Sequence, residues 1–258
     1  MTTLSALSSA FSSSFYATNR LSALYADSGD RVSSALRQPS EALSREIEST
    51  RVQLSSLGQV QSATAGLQSA AIKLRDLPES AVVGEAKKAA EAFVQAYNDQ
   101  RTALAGAGGD VARRGSAQAI GATGVAGRVA VAASQASRLT GDQGTALREA
   151  GIRVERDGSL SVDAKALESA FNANPKAVTQ ALGQVGRAAE AMTTRQLSEN
   201  GSVGAAVRTL ENRTQQLENR QSLVENASVA AQRALESSSR RYGFGAVGAG
   251  AYLGIFGL

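Results

Sequence analysis

Residues 203–235 read VGAAVRTLENRTQQLENRQSLVENASVAAQRAL, and a seven-residue repeat runs through them. Apolar or small side chains occupy one seam position, at Val203, Leu210, Leu217, Val224 and Ala231. The companion seam position holds Val207, Thr214, Gln221, Ser228 and Leu235. Sustained heptads predict a left-handed coiled coil. Because half of this seam is polar or small, we expect the helix over residues 201–240 to be weak alone and to need a partner helix.

A narrow apolar stripe in residues 39–77 marks the candidate partner helix. Pro39 and Ser40 form a helix-start signal, and apolar side chains then recur at spacings of three and four up to the next proline. The stripe has gaps at the polar residues Thr50 and Thr64. We therefore predict that this helix pairs with the C-terminal heptad helix as an antiparallel coiled coil. The predicted seam consists of Leu54, Leu57, Leu67, Leu74, Val203, Leu210, Leu217 and Val224.

Both ends of the chain differ in composition from these two helices. Residues 1–38 are rich in Ser and Ala, and apolar residues recur on one helical face at Leu4, Leu7, Phe11 and Phe15. This arm either folds against a partner or is a frayed tail. Residues 241–258 form an apolar, Gly-rich tail with no charge after Arg241. Three interpretations of the tail remain open: burial in an assembly, contact with a membrane, or a disordered end.

The region between them, residues 84–200, is predicted to consist of helices around a short hairpin. Phe93 and Tyr97 lie four residues apart, on one face of its first helix. A glycine-rich stretch at residues 106–110 predicts a break, and an Ala-rich helix follows over roughly residues 112–139.

Residues 151–163 predict a β-hairpin. Apolar and polar residues alternate on both sides of Asp157-Gly158, a dipeptide that favours tight hairpin turns. Asp163 is placed to cap a following helix, and Asn174-Pro175 to begin another. The inward face of these two helices consists of Leu167, Phe171, Val178 and Leu182. The predicted fold class is therefore mainly α, with long antiparallel coiled-coil helices and a small helix/β-hairpin region.

Composition argues against catalysis. The 258 residues include no Cys and no His, which removes the thiolate nucleophile, the commonest general base and the commonest metal ligand. The net charge is only +4 and the basic residues are scattered, so no nucleic-acid partner is expected. We predict no enzyme activity, no cofactor and no metal. The N-terminus also lacks the basic and continuous apolar segments of a secretory signal.

Three stretches share their order and spacing with one known family. The first runs from Gln53 to Leu74 around Ser56-Leu57-Gly58, and the second is Phe93-Val-Gln-Ala-Tyr97-Asn98. The third consists of Gly151-Ile152, Asp157-Gly158-Ser-Leu160, Asp163, Leu167 and Asn174-Pro175-x-x-Val178. Together they resemble the bacterial flagellar filament-capping family, flagellar hook-associated protein 2, over roughly residues 40–240.

This resemblance implies a helical leg domain, in which N- and C-terminal helices pair and a helix–hairpin region sits above them. It also implies subunits that leave the cell by flagellar type III export and form a ring at the filament tip, where they promote flagellin assembly. The implied partners are further copies of the chain, flagellin or hook–filament junction proteins, and an export chaperone.

The family's large β-rich plate domain has no counterpart here, because Leu77–Ala92 joins the first helix directly to the Phe-Val-x-x-Tyr-Asn helix. The chain therefore resembles a compact form of the family. The alternative hypothesis is a diverged, non-enzymatic coiled-coil scaffold that is held at a membrane by its C-terminal tail.

Overall fold

The computed structural model describes the backbone of residues 4–115 and 119–255, and the side chains of residues 40–109, 124–233 and Ser237. Within these ranges the fold is mainly α, as predicted. The elements in chain order are α1 (Leu4–Arg75), α2 (Val83–Gly115), α3 (Ala119–Asp142), α4 (Gly144–Glu149), β1 (Ile152–Val154), β2 (Leu160–Val162), α5 (Ala164–Ala173), α6 (Pro175–Leu197) and α7 (Ser202–Ile255).

Helix α1 is longer than expected. It spans 72 residues and its backbone stays helical through Pro39, so the predicted start at Ser40 is wrong. Ser40 does not act as a cap, because the helix continues on both sides of it. A proline removes one hydrogen bond from a helix but has a φ angle close to the helical value, so a long helix with turns on both sides can continue through it.

Helix α2 also continues where a break was predicted. It runs through the glycine-rich stretch at residues 106–110 and ends at Gly115. Each glycine in a helix interior costs about 1 kcal/mol relative to alanine. Burial offsets this cost, since Leu104 and Ala107 are 3% and 2% exposed. A Cβ atom on Gly108 would lie 3.8 Å from Cγ1 of Val129, so this part of α2 packs closely against α3.

The predicted hairpin is confirmed. Strands β1 and β2 pair antiparallel, with Ile152 opposite Val162 and Val154 opposite Leu160. The chain turns between them at Gly158, which has a φ angle of +82°. Both predicted helix caps form as well: a side-chain oxygen of Asp163 accepts from the backbone N–H of Ala166, and Oδ1 of Asn174 accepts from that of Ala177.

Contacts divide the chain into two compact units. The larger, Glu48–Gln215, contains one continuous apolar core, to which described residues of all seven helices contribute. The smaller consists of Met1–Ile47 and Gln216–Leu258. Among the side chains described in the smaller unit, Ile47 and Leu217 are the buried apolar ones, at 5% and 3% exposure. Over the described residues, no helix is long and apolar enough to span a membrane.

Candidate functional site

Asn98 on α2 holds the hairpin from its side. Its Nδ2 donates to the carbonyl oxygen of Leu160 at 2.9 Å, and its Oδ1 accepts from the N–H of the same residue at 2.9 Å. The carboxamide therefore pairs with β2 as the peptide group of a neighbouring strand would. An isolated two-stranded hairpin is marginally stable in water. Attachment to α2 supplies part of the missing stabilisation.

The hairpin turn is attached to the same helix through Arg101. The guanidinium of Arg101 lies 3.8 Å from Oδ2 of Asp157, and a Cβ atom on Gly158 would lie 3.5 Å from the same guanidinium. Asp157 is itself organised by Ser159, whose N–H and hydroxyl both donate to Oδ1 at 3.0 and 2.7 Å. The Ser159 hydroxyl is the main reason that the pKa of Asp157 is lowered.

Gly151 forms the junction between the hairpin and α5. Its φ angle is +71°, and a Cβ atom there would lie 2.6 Å from the backbone nitrogen of Leu167. An L-residue would therefore be strained by its backbone conformation and would also collide with α5. Leu167 and Ile152 are both fully buried beside this junction. The family-like Gly-Ile pair thus has a packing role.

Asp163 combines a cap with an ion pair. It accepts the N–H of Ala166 at 3.0 Å, and its other oxygen accepts from Nη2 of Arg153 on β1. Its pKa is lowered, first by the hydrogen bond from Ala166 and then by the charge of Arg153.

Pro175 occupies the first turn of α6 as predicted, and Val178 is 3% exposed in the core below it.

Phe93 and Tyr97 anchor α2 in the core. They are 0% and 1% exposed, and the Tyr97 hydroxyl donates to the carbonyl oxygen of Ala136 on α3 at 3.3 Å. Burial raises the pKa of this hydroxyl. The motif residues Phe93, Tyr97 and Asn98 therefore lie on α2, which holds the hairpin on one side and α3 on another. We call α2, the hairpin and α5 together the hairpin platform.

A buried polar network lies in the same core and was not predicted. Nε2 of Gln100 donates to Oε1 of Gln196 on α6 at 2.8 Å and to Oγ1 of Thr64 on α1 at 3.1 Å. Nε2 of Gln196 donates in turn to the carbonyl oxygen of Ala132 on α3 at 3.1 Å. Four helices are therefore joined by two glutamines. The sequence signal was present: Gln100 lies three residues after Tyr97 and four before Leu104, on the buried face.

Helix α1 also packs against α6, which the heptad argument did not predict. A Cβ atom on Gly186 would lie 2.5 Å from the backbone nitrogen of Arg75, so the two helix backbones approach closely there. Nη1 of Arg75 donates to Oε1 of Glu190 at 2.6 Å, and Nε2 of Gln68 donates to Oγ1 of Thr194 at 2.9 Å. Contacts outside the predicted seam thus help to hold the C-terminal third of α1.

Most residues of the predicted seam are buried. Leu57, Leu67, Leu74, Val203 and Leu210 belong to the single core cluster of the larger unit, and Leu54 packs against it. In the smaller unit Leu217 is 3% exposed, whereas Val224 is half-buried. The companion positions are half-buried at Val207, Thr214, Gln221 and Ser228. Thr50 and Thr64, the two polar residues that interrupt the apolar stripe of residues 39–77, are also buried.

The exposed surface of the hairpin carries an open groove of about 600 Å³. It is lined by Gly144 and Arg148 from α4, by Gly151 and all three residues of β1, and by Asp163 and Ala166. Among the described residues, no three acidic side chains come together as a metal site would require.

The comparisons with known proteins agree with this geometry. A family model described as the C-terminus of flagellar hook-associated protein 2 matches residues 83–243. The match contains the whole hairpin platform, α6 and the heptads of α7. No curated protein and no solved structure matches the chain.

Proposed function

Because the chain belongs to the family of flagellar hook-associated protein 2, we propose that it is a structural subunit that assembles at the tip of the flagellar filament and promotes flagellin assembly there. Membership itself assigns the chain to the structural proteins of the bacterial flagellum, an extracellular appendage. The observation that carries the proposal is the match over residues 83–243, which contains the whole hairpin platform.

In this proposal the hairpin platform is the rigid part of the subunit. Its hairpin is held on α2 by Asn98 and Arg101, and the buried glutamines connect α2 to three further helices. A subunit that guides other chains must keep its own shape while they move against it. Fully buried side-chain networks give a core one preferred arrangement.

The long helices are the proposed adaptable part. We propose that α1 and α7 pair as an antiparallel coiled coil through the predicted seam. Along α7, buried Leu217 is followed by half-buried Val224, and the polar residues Thr214, Gln221 and Ser228 occupy companion positions. Polar seam residues lower the stability of a coiled coil while fixing its register. With such a weak seam, α1 and α7 can separate from each other on assembly and pair with helices of neighbouring subunits.

The finer parts of the proposal concern partners and route. We propose a ring of identical chains that contacts flagellin or hook–filament junction proteins, is helped by an export chaperone, and leaves the cell through the flagellar type III apparatus. Family membership, which implies a flagellar assembly context, supports these partners and this route.

Electron microscopy of intact flagella with gold-labelled antibody against the chain tests the proposal. Gold at filament tips is the expected result. Gold at the boundary between hook and filament would replace tip assembly by a junction role. Retention of the protein in cells, with unlabelled flagella, would contradict both and favour the scaffold hypothesis.

A matched genetic test uses a strain in which the gene is deleted. Shortened filaments and lost swimming are expected, and both should return with the wild-type gene. Normal filament length in the deletion strain would show that filament assembly does not need this chain.

A further inference from the structure

The turn between α6 and α7 contains the one Asn-Gly dipeptide of the sequence, Asn200-Gly201. Asparagine before glycine is prone to spontaneous deamidation, because glycine has no Cβ atom to keep its backbone nitrogen away from the preceding side chain. Asn200 is exposed to solvent. The turn therefore carries a candidate site of covalent modification.

Close packing requires glycine at position 201. Its φ angle is not in the left-handed region, so the backbone conformation alone would admit other residues. A Cβ atom at this position, however, would collide with the carbonyl oxygen of Arg195 and lie 2.5 Å from that of Gln196 at the end of α6. The turn therefore keeps a reactive dipeptide for the sake of its packing.

The folded turn holds the backbone nitrogen that would react. The N–H of Gly201 donates to the carbonyl oxygen of Ser198 at 2.8 Å, and the carbonyl oxygen of Gly201 accepts from the N–H of Ala205 at 2.9 Å. Deamidation requires the Gly201 nitrogen to lose its proton and to move onto Cγ of Asn200. In the folded turn this movement breaks a hydrogen bond, and the packing against α6 leaves the Gly201 α-carbon no space to shift.

Arg208 on α7 holds the neighbouring groups. Its Nη2 donates to the carbonyl oxygen of Glu199 and, at 3.4 Å, to Oδ1 of Asn200. Its Nη1 lies 3.1 Å from the Glu199 carboxylate. The carboxamide of Asn200 is thus tethered by its oxygen, and the peptide group before it is fixed to the first turns of α7.

We propose that Asn200 is a deamidation site that the folded turn keeps closed and that reacts when the turn opens. The deprotonated nitrogen of Gly201 attacks Cγ of Asn200 and forms a C–N bond. The bond from Cγ to the side-chain nitrogen breaks, and ammonia leaves with the proton that Gly201 gave up. Water then opens the resulting succinimide at one of its two carbonyl carbons and gives aspartate or isoaspartate.

The two products differ in their ability to re-form the turn. Aspartate keeps the length of the main chain and places a carboxylate near Arg208. Isoaspartate adds one carbon to the main chain just before Gly201, the residue that has no space to move against α6. Chains with isoaspartate should therefore fail to close the turn. This site goes beyond the proposed flagellar role and does not depend on where the protein assembles.

The test compares the full chain with a capped peptide of residues 198–203 in the same neutral buffer. Mass spectrometry measures the conversion of Asn200, and an isoaspartate methyltransferase measures the isoaspartate. Asn200 should react at least about tenfold more slowly in the folded chain, because the reaction waits for the turn to open and for a hydrogen bond to break. Urea that unfolds the chain should raise the rate to that of the peptide.

Two arginine variants test the tether. Arg208→Ala removes the hydrogen bonds to Glu199 and Asn200 and should speed the reaction in the folded chain by about threefold to tenfold. Arg220→Ala, on the exposed surface of the same helix, should leave the rate unchanged.

Asn200→Asp imitates the aspartate product. Its midpoint of thermal unfolding should lie within about 3 °C of the wild type, since an exposed ion pair has a small effect on stability. Wild-type chains that carry isoaspartate should instead be cut by a protease at the α6–α7 turn.

Three results would overturn the inference: equal rates in the folded chain and the peptide, a rate in the folded chain that urea does not raise, or isoaspartate in chains whose turn still resists proteolysis. Absence of deamidation in the peptide would also contradict it. The comparison of folded chain, unfolded chain and peptide needs only the wild-type sequence, so it decides the matter even where Arg208→Ala does not fold.

Discussion

The side-chain amide of Gln100 donates to Oε1 of Gln196 across 2.8 Å, and neither side chain is exposed to solvent. The orientation of this pair is fixed at its far end, because Gln196 must direct its own amide towards the carbonyl oxygen of Ala132. Gln100 can then donate but not accept, and among the described groups its Oε1 is left without a partner. The network therefore joins four helices in one arrangement and carries one unsatisfied acceptor.

This relationship predicts non-additive effects of mutation. Gln196→Leu should lower the free energy of unfolding by about 1–3 kcal/mol, since it leaves the amide of Gln100 with one partner fewer in the core. The double variant Gln100→Leu/Gln196→Leu should cost less than the sum of the two single variants. Urea unfolding followed by circular dichroism measures all three.

The control for this prediction is Gln68→Leu, which breaks a hydrogen bond to Thr194 at the surface. It should change the free energy of unfolding by less than about 0.5 kcal/mol. Equal losses in the surface and core variants, or strict additivity in the double variant, would show that the buried glutamines do not act as one network.

The glycines of the hairpin predict losses of stability of different size when each is replaced by alanine. Gly151→Ala should be the most destabilising, because its φ angle of +71° is combined with a collision with Leu167. Gly158→Ala should cost about 1–2 kcal/mol, since its φ angle is +82° but its nearest neighbour, Arg101, is at 3.5 Å and can move. The midpoints of thermal unfolding of the variants rank these losses of stability.

Gly144 is the matched control in this series. A Cβ atom there meets nothing within 4 Å and its φ angle is not positive, so Gly144→Ala should be neutral or stabilising by up to about 1 kcal/mol. A loss at Gly144 as large as that at Gly151 would mean that the effect comes from α4 and not from the turn geometry.

The sequence predicted those features of the fold that depend on neighbouring residues. The turn at Asp157-Gly158, the caps at Asp163 and Asn174, and the buried heptads at Leu210 and Leu217 all follow from local chemistry, and the structure contains them. The shared face of Phe93 and Tyr97 was predicted from their spacing, and the resemblance added Asn98 to the motif, but the pairing of Asn98 with β2 was not predicted.

The missed features depend on distant contacts. Ser40 and the glycines at 106–110 carry genuine start and break signals, yet the helices pass through both, and packing of Ala107 and Gly108 against α3 accounts for the second. The close approach of Gly186 to Arg75 joins positions far apart in the chain. The spacing of residues within one helix does not predict such a contact between two helices.

Asp163 predicts a dependence of stability on acid pH. Its pKa in the folded chain is lowered, so the unfolded chain binds more protons at acid pH. The stabilisation it provides is present above the ordinary aspartate pKa, near 4, and is lost as the pH falls through the lowered value. We expect thermal unfolding to shift to lower temperature as the pH falls below about 5.

Two variants separate the cap from the charge at this position. Asp163→Asn can still cap α5 but does not titrate, so its stability should depend less on acid pH than that of the wild type. Asp163→Ala loses the cap at every pH and should be less stable at neutral pH. Identical acid sensitivity in wild type and Asp163→Asn would assign the effect to other carboxylates, of which Asp157 is the next candidate because its pKa is also lowered.

The proposed pairing of α1 with α7 predicts a specific cross-link. Ile47 and Leu217 are the buried apolar side chains among those described in the smaller unit, and an antiparallel seam would place them opposite each other. The chain has no native cysteine, so Ile47→Cys/Leu217→Cys introduces the thiols of interest and no others. Mild oxidation should then form an intramolecular disulfide, because facing seam positions bring Cα atoms within the roughly 4.4–6.8 Å that a disulfide requires.

In the matched control the second cysteine is placed at Leu223 and not at Leu217. Leu223 lies on the same helix but is 68% exposed. The Ile47→Cys/Leu223→Cys variant should stay reduced under the same conditions, as judged by mobility on non-reducing gels. Equal cross-linking of the two pairs would indicate helices that slide past each other without a fixed register. If instead the Ile47→Cys/Leu217→Cys thiols link only between chains, α1 and α7 pair across subunits, and the seam belongs to the assembly.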